Sequence, residues 1–110
     1  MASLGKTKFK GESGTEYRFR VFPLGTRFRK VSGVYLIAYR GRNSRGAARH
    51  KILYVGHTED LSQPFQQHRK AQDLMRLGAN CICVQSDQSE ESRSAKERDL
   101  VVKFGPVCNA

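Results

Sequence analysis

Six side chains able to bind a polar ligand are spread along the chain. They are two tyrosines, two histidines, a glutamate and an asparagine: Tyr35, Tyr54, His57, His68, Glu97 and Asn109. A glycine lies two residues from each tyrosine, in the segments GVY and YVG. Glycine permits close backbone approach, and a tyrosine hydroxyl at the end of a strand can face a polar ligand. Glu97 lies three and four residues before Leu100 and Val101, which places it near the buried boundary of a helix.

The two tyrosines are predicted to lie on neighbouring strands. Residues 34–39 and 52–55 are short runs rich in β-branched and aromatic residues, too short for independent helices. The Arg- and Gly-rich segment between them exceeds a two-residue turn, so side-chain alternation has to set the register. An ordinary hairpin with packed tyrosines is the alternative, and these two segments alone favour it.

The remaining elements complete the predicted fold. Tyr17, Phe19 and Val21 alternate with arginines, which predicts a half-buried strand, and residues 81–84 form another short apolar run. Helices are predicted at 63–77, continuous or broken once, and at 89–104, which begins with acidic residues and ends at a Gly-Pro pair. We expect a small α/β domain of the α+β type over residues 15–110, with a central three-stranded, mostly antiparallel sheet flanked by helices, and a flexible basic segment at 1–14.

The excess positive charge lies in the first half of the chain. Residues 1–50 carry 12 Lys or Arg against 2 Asp or Glu, and residues 51–110 carry 8 of each. A basic surface of this size attracts polyanions, of which nucleic acid is the commonest inside cells. The aromatic residues and glycines between the arginines favour nucleic-acid binding over a solubility device or a basic tail without a fixed ligand. The candidate contacts are Arg18, Arg20, Arg27, Arg29, Lys30, Arg40, Arg42, Arg45 and Arg49.

The cysteines and the N-terminal segment indicate the cellular compartment in which we expect the protein. Cys81, Cys83 and Cys108 are an odd number without a CxxC motif, and we expect small buried hydrophobes in a reducing compartment rather than a disulfide or a zinc site. His50, in the Arg-rich segment, is expected on the surface. No apolar run approaches the roughly 20 residues that span a bilayer. No hydrophobic segment follows the basic N-terminus, so we expect a cytoplasmic protein without a membrane partner.

In this order and spacing, the polar residues resemble those of the GIY-YIG nuclease family. The resemblance covers residues 33–109. GVY at 33–35 and YVG at 54–56 match the two motifs, and a Thr-x-x-Leu segment, His68, Glu97 and Asn109 follow. We include His57, directly after the second motif, among the predicted catalytic residues. Each segment alone is weak evidence, but the ordered set is specific.

The resemblance implies hydrolysis of phosphodiester bonds in nucleic acid, above all double-stranded DNA. A glutamate of the last helix holds one divalent cation in the family, which implies Mg²⁺ or Mn²⁺ at Glu97. The tyrosine of the second motif acts on the attacking water as base or orienter, which implies that role for Tyr54. Tyr35 and His68 match the supporting tyrosine and histidine, and Asn109 matches the asparagine that ties the chain end to the site.

One position departs from the family pattern. The family has an arginine four residues before the histidine, where it clamps the scissile phosphate, and this chain has Pro64. Losing such a donor costs about 100-fold or more in rate. On a continuous helix Arg69 and Lys70 point about 140° and 240° away from position 64, and Arg40 or Arg42 are further candidates to reach the site. The alternatives to an active endonuclease are a degenerate member that binds nucleic acid without cutting and a protein-interaction module.

Overall fold

Alternating apolar residues build one antiparallel sheet in the computed structural model, which describes residues 3–109. The strands within this range are β1 (Gly5–Lys10), β2 (Glu16–Pro23), β3 (Gly33–Arg42), β4 (Ala48–Thr58) and β5 (Cys81–Ser86), in the spatial order β1-β2-β5-β3-β4. Two α-helices, α1 (Ala71–Arg76) and α2 (Glu90–Phe104), and two 3-10 turns at Phe65–Gln67 and Val107–Asn109 complete the elements of residues 3–109. The predicted α+β class and antiparallel pairing are confirmed, but the predicted three-stranded sheet is wrong because five strands pair.

The two faces of the sheet bury separate apolar clusters. Leu100 of α2 packs on one face against a cluster that includes Phe19 and Leu36. Leu74 of α1 packs on the other face against a cluster that includes Ile37 and Leu53. Each fully buried side chain of this size contributes about 1.5–3 kcal/mol. The helices therefore fix which side of the sheet each polar residue faces.

The first strand was missed at the sequence level. Residues 1–14 are predicted to be flexible, whereas Gly5–Lys10 pairs with β2 along its whole length. Met1 and Ala2 lie outside the described residues. Phe9 is the reason for the strand, because its ring contacts both Phe19 and Phe104 with centroids 5.9 Å apart. A single aromatic residue among lysines is too weak a signal for sequence patterns to detect.

The first predicted helix is broken, and most of its predicted length is not α-helical. Pro64 leads into the 3-10 turn Phe65–Gln67, and His68 is extended, with φ −67° and ψ 134°. Only Ala71–Arg76 is α-helical. The Nδ1 atom of His68 accepts a hydrogen bond from the Lys70 N–H at 3.0 Å, a local contact that competes with helix formation. The break therefore lies at a predicted catalytic residue.

The second predicted helix is confirmed at 90–104. The Ser89 hydroxyl accepts from the Ser92 N–H at 3.1 Å, and Gly105 ends the helix in the left-handed conformation at φ 50°. Such caps satisfy backbone groups that a helix leaves unpaired at its ends. Among residues 3–109, no helix is long and apolar enough to cross a bilayer.

Strands β3 and β4 are longer than predicted and contain a bulge. Strand β3 continues to Arg42 and strand β4 begins at Ala48, so a turn of five residues connects them. The register shifts because Ile37 pairs with Tyr54 while Ala38 pairs with Ile52. A bulge of this kind re-aims the side chains beyond it. Beyond this bulge, Tyr35 and Gly56 lie opposite each other.

Candidate functional site

Two tyrosines and a histidine form a cluster of rings on the sheet face covered by α1. Tyr35 of β3 lies 6.0 Å from Tyr54 of β4, measured between ring centroids. The His68 imidazole packs edge-on against Tyr54, with centroids 4.9 Å apart. The Tyr35 hydroxyl and His68 Nε2 are 3.0 Å apart, within hydrogen-bond distance. The fold therefore brings together three of the six predicted residues.

Gly56 makes this cluster possible. It pairs with Tyr35 across the two strands. A Cβ atom at this position would lie 2.7 Å from both Cζ and the hydroxyl oxygen of Tyr35, and 2.9 Å from Tyr54 Cε2. The glycine of the second motif is therefore required for close side-chain approach, and any larger residue has to displace a tyrosine.

We expect Gly56→Ala to disturb the ring cluster and to lower the free energy of unfolding by about 1–3 kcal/mol, the usual cost of overpacking. Urea denaturation measures this loss. Gly41→Ala is the matched control on β3, since the atoms nearest to its Cβ would be those at the end of the Tyr39 side chain, which is 47% exposed. Equal losses in the two variants would show that Gly56 is not needed for packing.

The hydrogen bonds of His68 fix how its neutral form carries the proton. Its Nδ1 accepts from the Lys70 N–H, so Nε2 holds the proton and donates to the Tyr35 hydroxyl. Burial, together with the charges of Arg69 and Lys70, lowers the pKa of His68 below its usual value and keeps the ring neutral at pH 7. Burial raises the pKa of Tyr35, as do the neighbouring Tyr54 and Glu97. Tyr35 therefore keeps its proton while its hydroxyl oxygen accepts the bond from His68.

His57 and Glu97 form a second, separate pair. His57 lies opposite Val34, whose side chain belongs to the cluster under α2, so it faces α2 rather than the tyrosines. Its Nε2 lies 3.5 Å from Oε2 of Glu97 on α2. The carboxylate is still close enough to raise the pKa of Tyr35. The structure thus separates five of the six predicted residues into two groups near the same end of β4.

Asn109 supports the outer edge of β4. Its Oδ1 accepts from the Val55 N–H at 2.8 Å, and its Nδ2 donates to the Val55 carbonyl at 2.9 Å. Two hydrogen bonds to one residue fix the position of the segment after α2. Asn109 therefore contacts the backbone beside Tyr54 and Gly56 rather than the ring cluster.

Comparisons of the chain with protein-family models, with curated proteins and with solved structures found no match in any of the three. Function therefore has to be inferred from the motifs and from the geometry of the described residues.

Arg69 directly follows His68, and the break in the helix changes its expected direction relative to position 64. The 140° separation from position 64 assumes a continuous helix, and the chain is extended at His68 instead. The charge of Arg69 reaches the cluster, because it contributes to the lowered pKa of His68 and opposes the effect of burial on the pKa of Tyr35. Pro64 is exposed at the entry of the 3-10 turn. Arg69 is thus an exposed cation next to His68 in the chain, whereas position 64 offers no charge.

A cavity and a basic groove adjoin the ring cluster. The cavity measures about 250 Å³, and Tyr35, His68, Pro64 and Phe65 are among its lining residues. The groove is lined by four basic side chains together with aromatic rings: Lys6, Arg18, Arg20, Arg29, Phe22 and Phe28. Phe28 and Leu61 line both the cavity and the groove, so the two are contiguous. Lys6 was missed because β1 was predicted to be flexible.

The other predicted nucleic-acid contacts are dispersed. Arg27 and Lys30 are exposed between β2 and β3, and Arg42, Arg45 and Arg49 lie in or beside the turn that joins β3 to β4. Arg42 donates to the Gly46 carbonyl at 2.7 Å and so stays within that turn. Arg40 is different, because its Nε is buried and its charge lowers the pKa of His50. The structure therefore places Arg40 against the protein interior rather than in the groove.

Proposed function

We propose that this chain is a GIY-YIG-type endonuclease that hydrolyses phosphodiester bonds in DNA with one divalent cation at Glu97. The contact of 3.0 Å between the Tyr35 hydroxyl and His68 Nε2, beside Tyr54, supports this most directly. The fold thus brings the tyrosine of the first motif, the tyrosine of the second motif and the histidine into one cluster. The order of the motifs in the sequence supplies the rest of the argument.

Glu97 has the properties of a ligand for a hard cation. Its side chain is 32% exposed, and His57 at 3.5 Å is its one ion-pair partner among residues 3–109. Mg²⁺ keeps several waters and binds through one or two carboxylates together with substrate phosphates. A single water-accessible carboxylate therefore fits Mg²⁺ or Mn²⁺. The cation would supply stabilisation of the negative charge that develops on the phosphate.

The other side chains supply hydrogen bonds and positive charge. Tyr35 keeps its proton and can donate to a phosphate oxygen, while His68 holds its hydroxyl in place. Tyr54 packs against the same imidazole and, by the family resemblance, orients or deprotonates the attacking water. Arg69 adds a positive charge beside the rings. Fixed donors and charges of this kind lower the barrier because they need no reorganisation during the reaction.

The basic groove gives the DNA a route to the rings. The Arg20 guanidinium lies over the Phe22 ring at 5.6 Å, and the Phe22 and Phe28 rings pack edge to face at 5.2 Å. Arginines bind phosphates, and exposed aromatic faces stack on bases. Because Phe28 also lines the cavity, a strand bound in the groove leads to Tyr35 and His68.

We expect the double variant Arg18→Ala, Arg20→Ala to bind duplex DNA more weakly and with a salt dependence smaller by about two units in the slope of log K against log salt, because each lost phosphate contact removes about one. Fluorescence anisotropy at several salt concentrations measures it. Arg98→Ala is the control, since this exposed arginine lies on α2. An unchanged slope in the double variant would exclude the groove as the DNA-binding surface.

Pro64 favours a second candidate function, nucleic-acid binding without cleavage. Proline can neither donate a hydrogen bond nor carry charge, and it takes the place of the phosphate clamp. Nicking of supercoiled plasmid in Mg²⁺ or Mn²⁺, with EDTA as control, distinguishes the two functions. Metal-dependent nicking supports the endonuclease. A plasmid that is shifted on a gel but never cut supports the binding protein. A plasmid that is neither cut nor shifted supports the protein-interaction alternative.

A further inference from the structure

A second cluster of reactive side chains lies on the sheet face opposite the tyrosines. It consists of His50 on β4 and Cys81 and Cys83 on β5, and one ligand atom from each lies within 4.8 Å of the other two. Strand β3 runs between β4 and β5. Its residue at this point is Ala38, which pairs with Cys81 and with Ile52. A small residue on the middle strand leaves space above it for the longer side chains from either side.

The imidazole of His50 has an unused nitrogen in this cluster. Its Nε2 is buried and has no hydrogen-bond partner among the described residues, although buried polar atoms are usually paired. The expected surface position of His50 is therefore wrong: the ring is half-buried and packs edge-on against Phe9, with centroids 5.9 Å apart. Cys81 and Cys83 are both 0% exposed. The Cys81 thiol donates to the Ala38 carbonyl at 3.6 Å, so the imidazole nitrogen of His50 is the polar atom of this cluster that lacks a partner among the described residues.

The donor atoms of the cluster suit a transition-metal ion. Imidazole nitrogen and cysteine sulfur are the atoms through which Zn²⁺ is most often held in proteins. The cysteine thiols would lose their protons when such an ion binds, as is usual for cysteine ligands.

We propose that His50, Cys81 and Cys83 form a binding site for a thiophilic transition-metal ion, with Zn²⁺ as the best-fitting candidate. Two thiolates neutralise Zn²⁺, and an imidazole is the commonest additional ligand in such sites. Zn–S bonds of about 2.3 Å and Zn–N bonds of about 2.0 Å place tetrahedral ligand atoms roughly 3.5–4 Å apart, so shifts of about an ångström complete the geometry. Three protein ligands leave a fourth position for water or another ligand.

The proposed ion would connect β4 to β5 across β3 and would not depend on Glu97. His57 and Glu97 form their own pair, and His68 bonds Tyr35, so neither imidazole belongs to this cluster. The ion is therefore expected to stabilise the sheet whether or not the protein cuts DNA. That separation makes the inference testable without an activity assay.

The test is titration of the purified, reduced and chelator-treated protein with Co²⁺ and with Zn²⁺. We expect one equivalent of Co²⁺ to produce the charge-transfer absorption of a thiolate-bound metal, and Zn²⁺ to displace it and raise the Tm. Cys81→Ser combined with Cys83→Ser should remove the absorption. His50→Gln should weaken binding by at least about 10–100-fold, the cost of losing even a supporting group. Cys108→Ser, which alters a buried cysteine of the other cluster, should bind metal like the wild type.

Two results would overturn the proposal. One is the failure of the reduced wild-type protein to bind Co²⁺ or Zn²⁺ stoichiometrically. The other is charge-transfer absorption that persists in the double serine variant. If that variant does not fold, His50→Gln decides, because the ring is half-buried and its replacement leaves both cysteines in place. Unchanged affinity in a folded His50→Gln protein would remove the histidine from the site.

Discussion

Glu97→Ala is expected to reduce metal-dependent plasmid nicking by at least about 100-fold, the usual effect of removing one group that stabilises charge in a transition state. The variant loses the carboxylate that the family resemblance assigns to the cation. Glu97→Gln keeps the shape of the side chain and should be equally inactive, because a neutral amide binds Mg²⁺ poorly. Duplex binding should persist in both variants, since the groove lies elsewhere.

Glu91→Gln is the matched control for this experiment. Glu91 is an exposed carboxylate in the first turn of the same helix, so the substitution changes the same charge on α2 away from the rings. Its nicking rate should equal that of the wild type. Cleavage by purified Glu97→Ala at the wild-type rate would remove Glu97 from the mechanism, and with it the proposed position of the cation.

Arg69→Ala is expected to lower the rate of cleavage by about 100-fold, comparable to the loss of another fixed donor to a transition state. The reason is that Arg69 is a positive charge beside Tyr35 and His68 where position 64 offers none. Arg76→Ala is the control, because this arginine lies on α1 with Asp73 at 3.6 Å. Single-turnover rates with saturating protein separate this effect from weaker binding.

Pro64→Arg in the Arg69→Ala background tests the same assignment from the other side. If Arg69 takes the place of the family arginine, the added side chain should recover part of the lost rate. A wild-type rate for Arg69→Ala alone would mean that the phosphate is held by another group. In that event Pro64→Arg should leave the rate unchanged as well.

The parts of the fold that the sequence predicted well are those with strong local signals. The run at 90–104 has a capping serine, acidic residues in its first turn and a glycine after its end, and α2 follows it closely. The apolar runs around Tyr35 and Tyr54 became β3 and β4, because their β-branched and aromatic residues had to be buried on a sheet. Strands β3 and β4 and helix α2 carry four of the six predicted site residues, and Asn109 follows α2 closely.

The missed first strand comes from contacts between residues that are distant in the sequence. In strand β1 the Phe9 ring contacts Phe19 and Phe104, and no pattern in the neighbouring residues predicts these contacts. A break in the first helix was among the predicted alternatives, but its position at His68, where the Lys70 N–H bonds the imidazole, was not predicted. Periodicity averages over a whole segment and so continues a helix through such a point.

The same reason explains the residues that were overlooked around the two clusters. The usefulness of Arg69 follows from the break in the helix, and that of Lys6 follows from β1. His50 lies 31 positions before Cys81 in the sequence, and only the pairing of β3 with both β4 and β5 brings the two together. Spacing rules for metal ligands apply to short loops and do not detect ligands from separate strands.

The paired hydrogen bonds between Asn109 and Val55 also bear on how this chain behaves in concentrated solution. Strand β4 is an edge strand of the sheet. The backbone N–H and C=O groups of an unprotected edge strand can pair with another extended chain, which is a common start of aggregation. At Val55 both backbone groups are already occupied by a side-chain amide that imitates a neighbouring strand. Loss of this asparagine would leave the backbone of Val55 free to pair with the edge strand of a second molecule. Asn109 therefore protects the sheet edge against self-association as well as supporting the site.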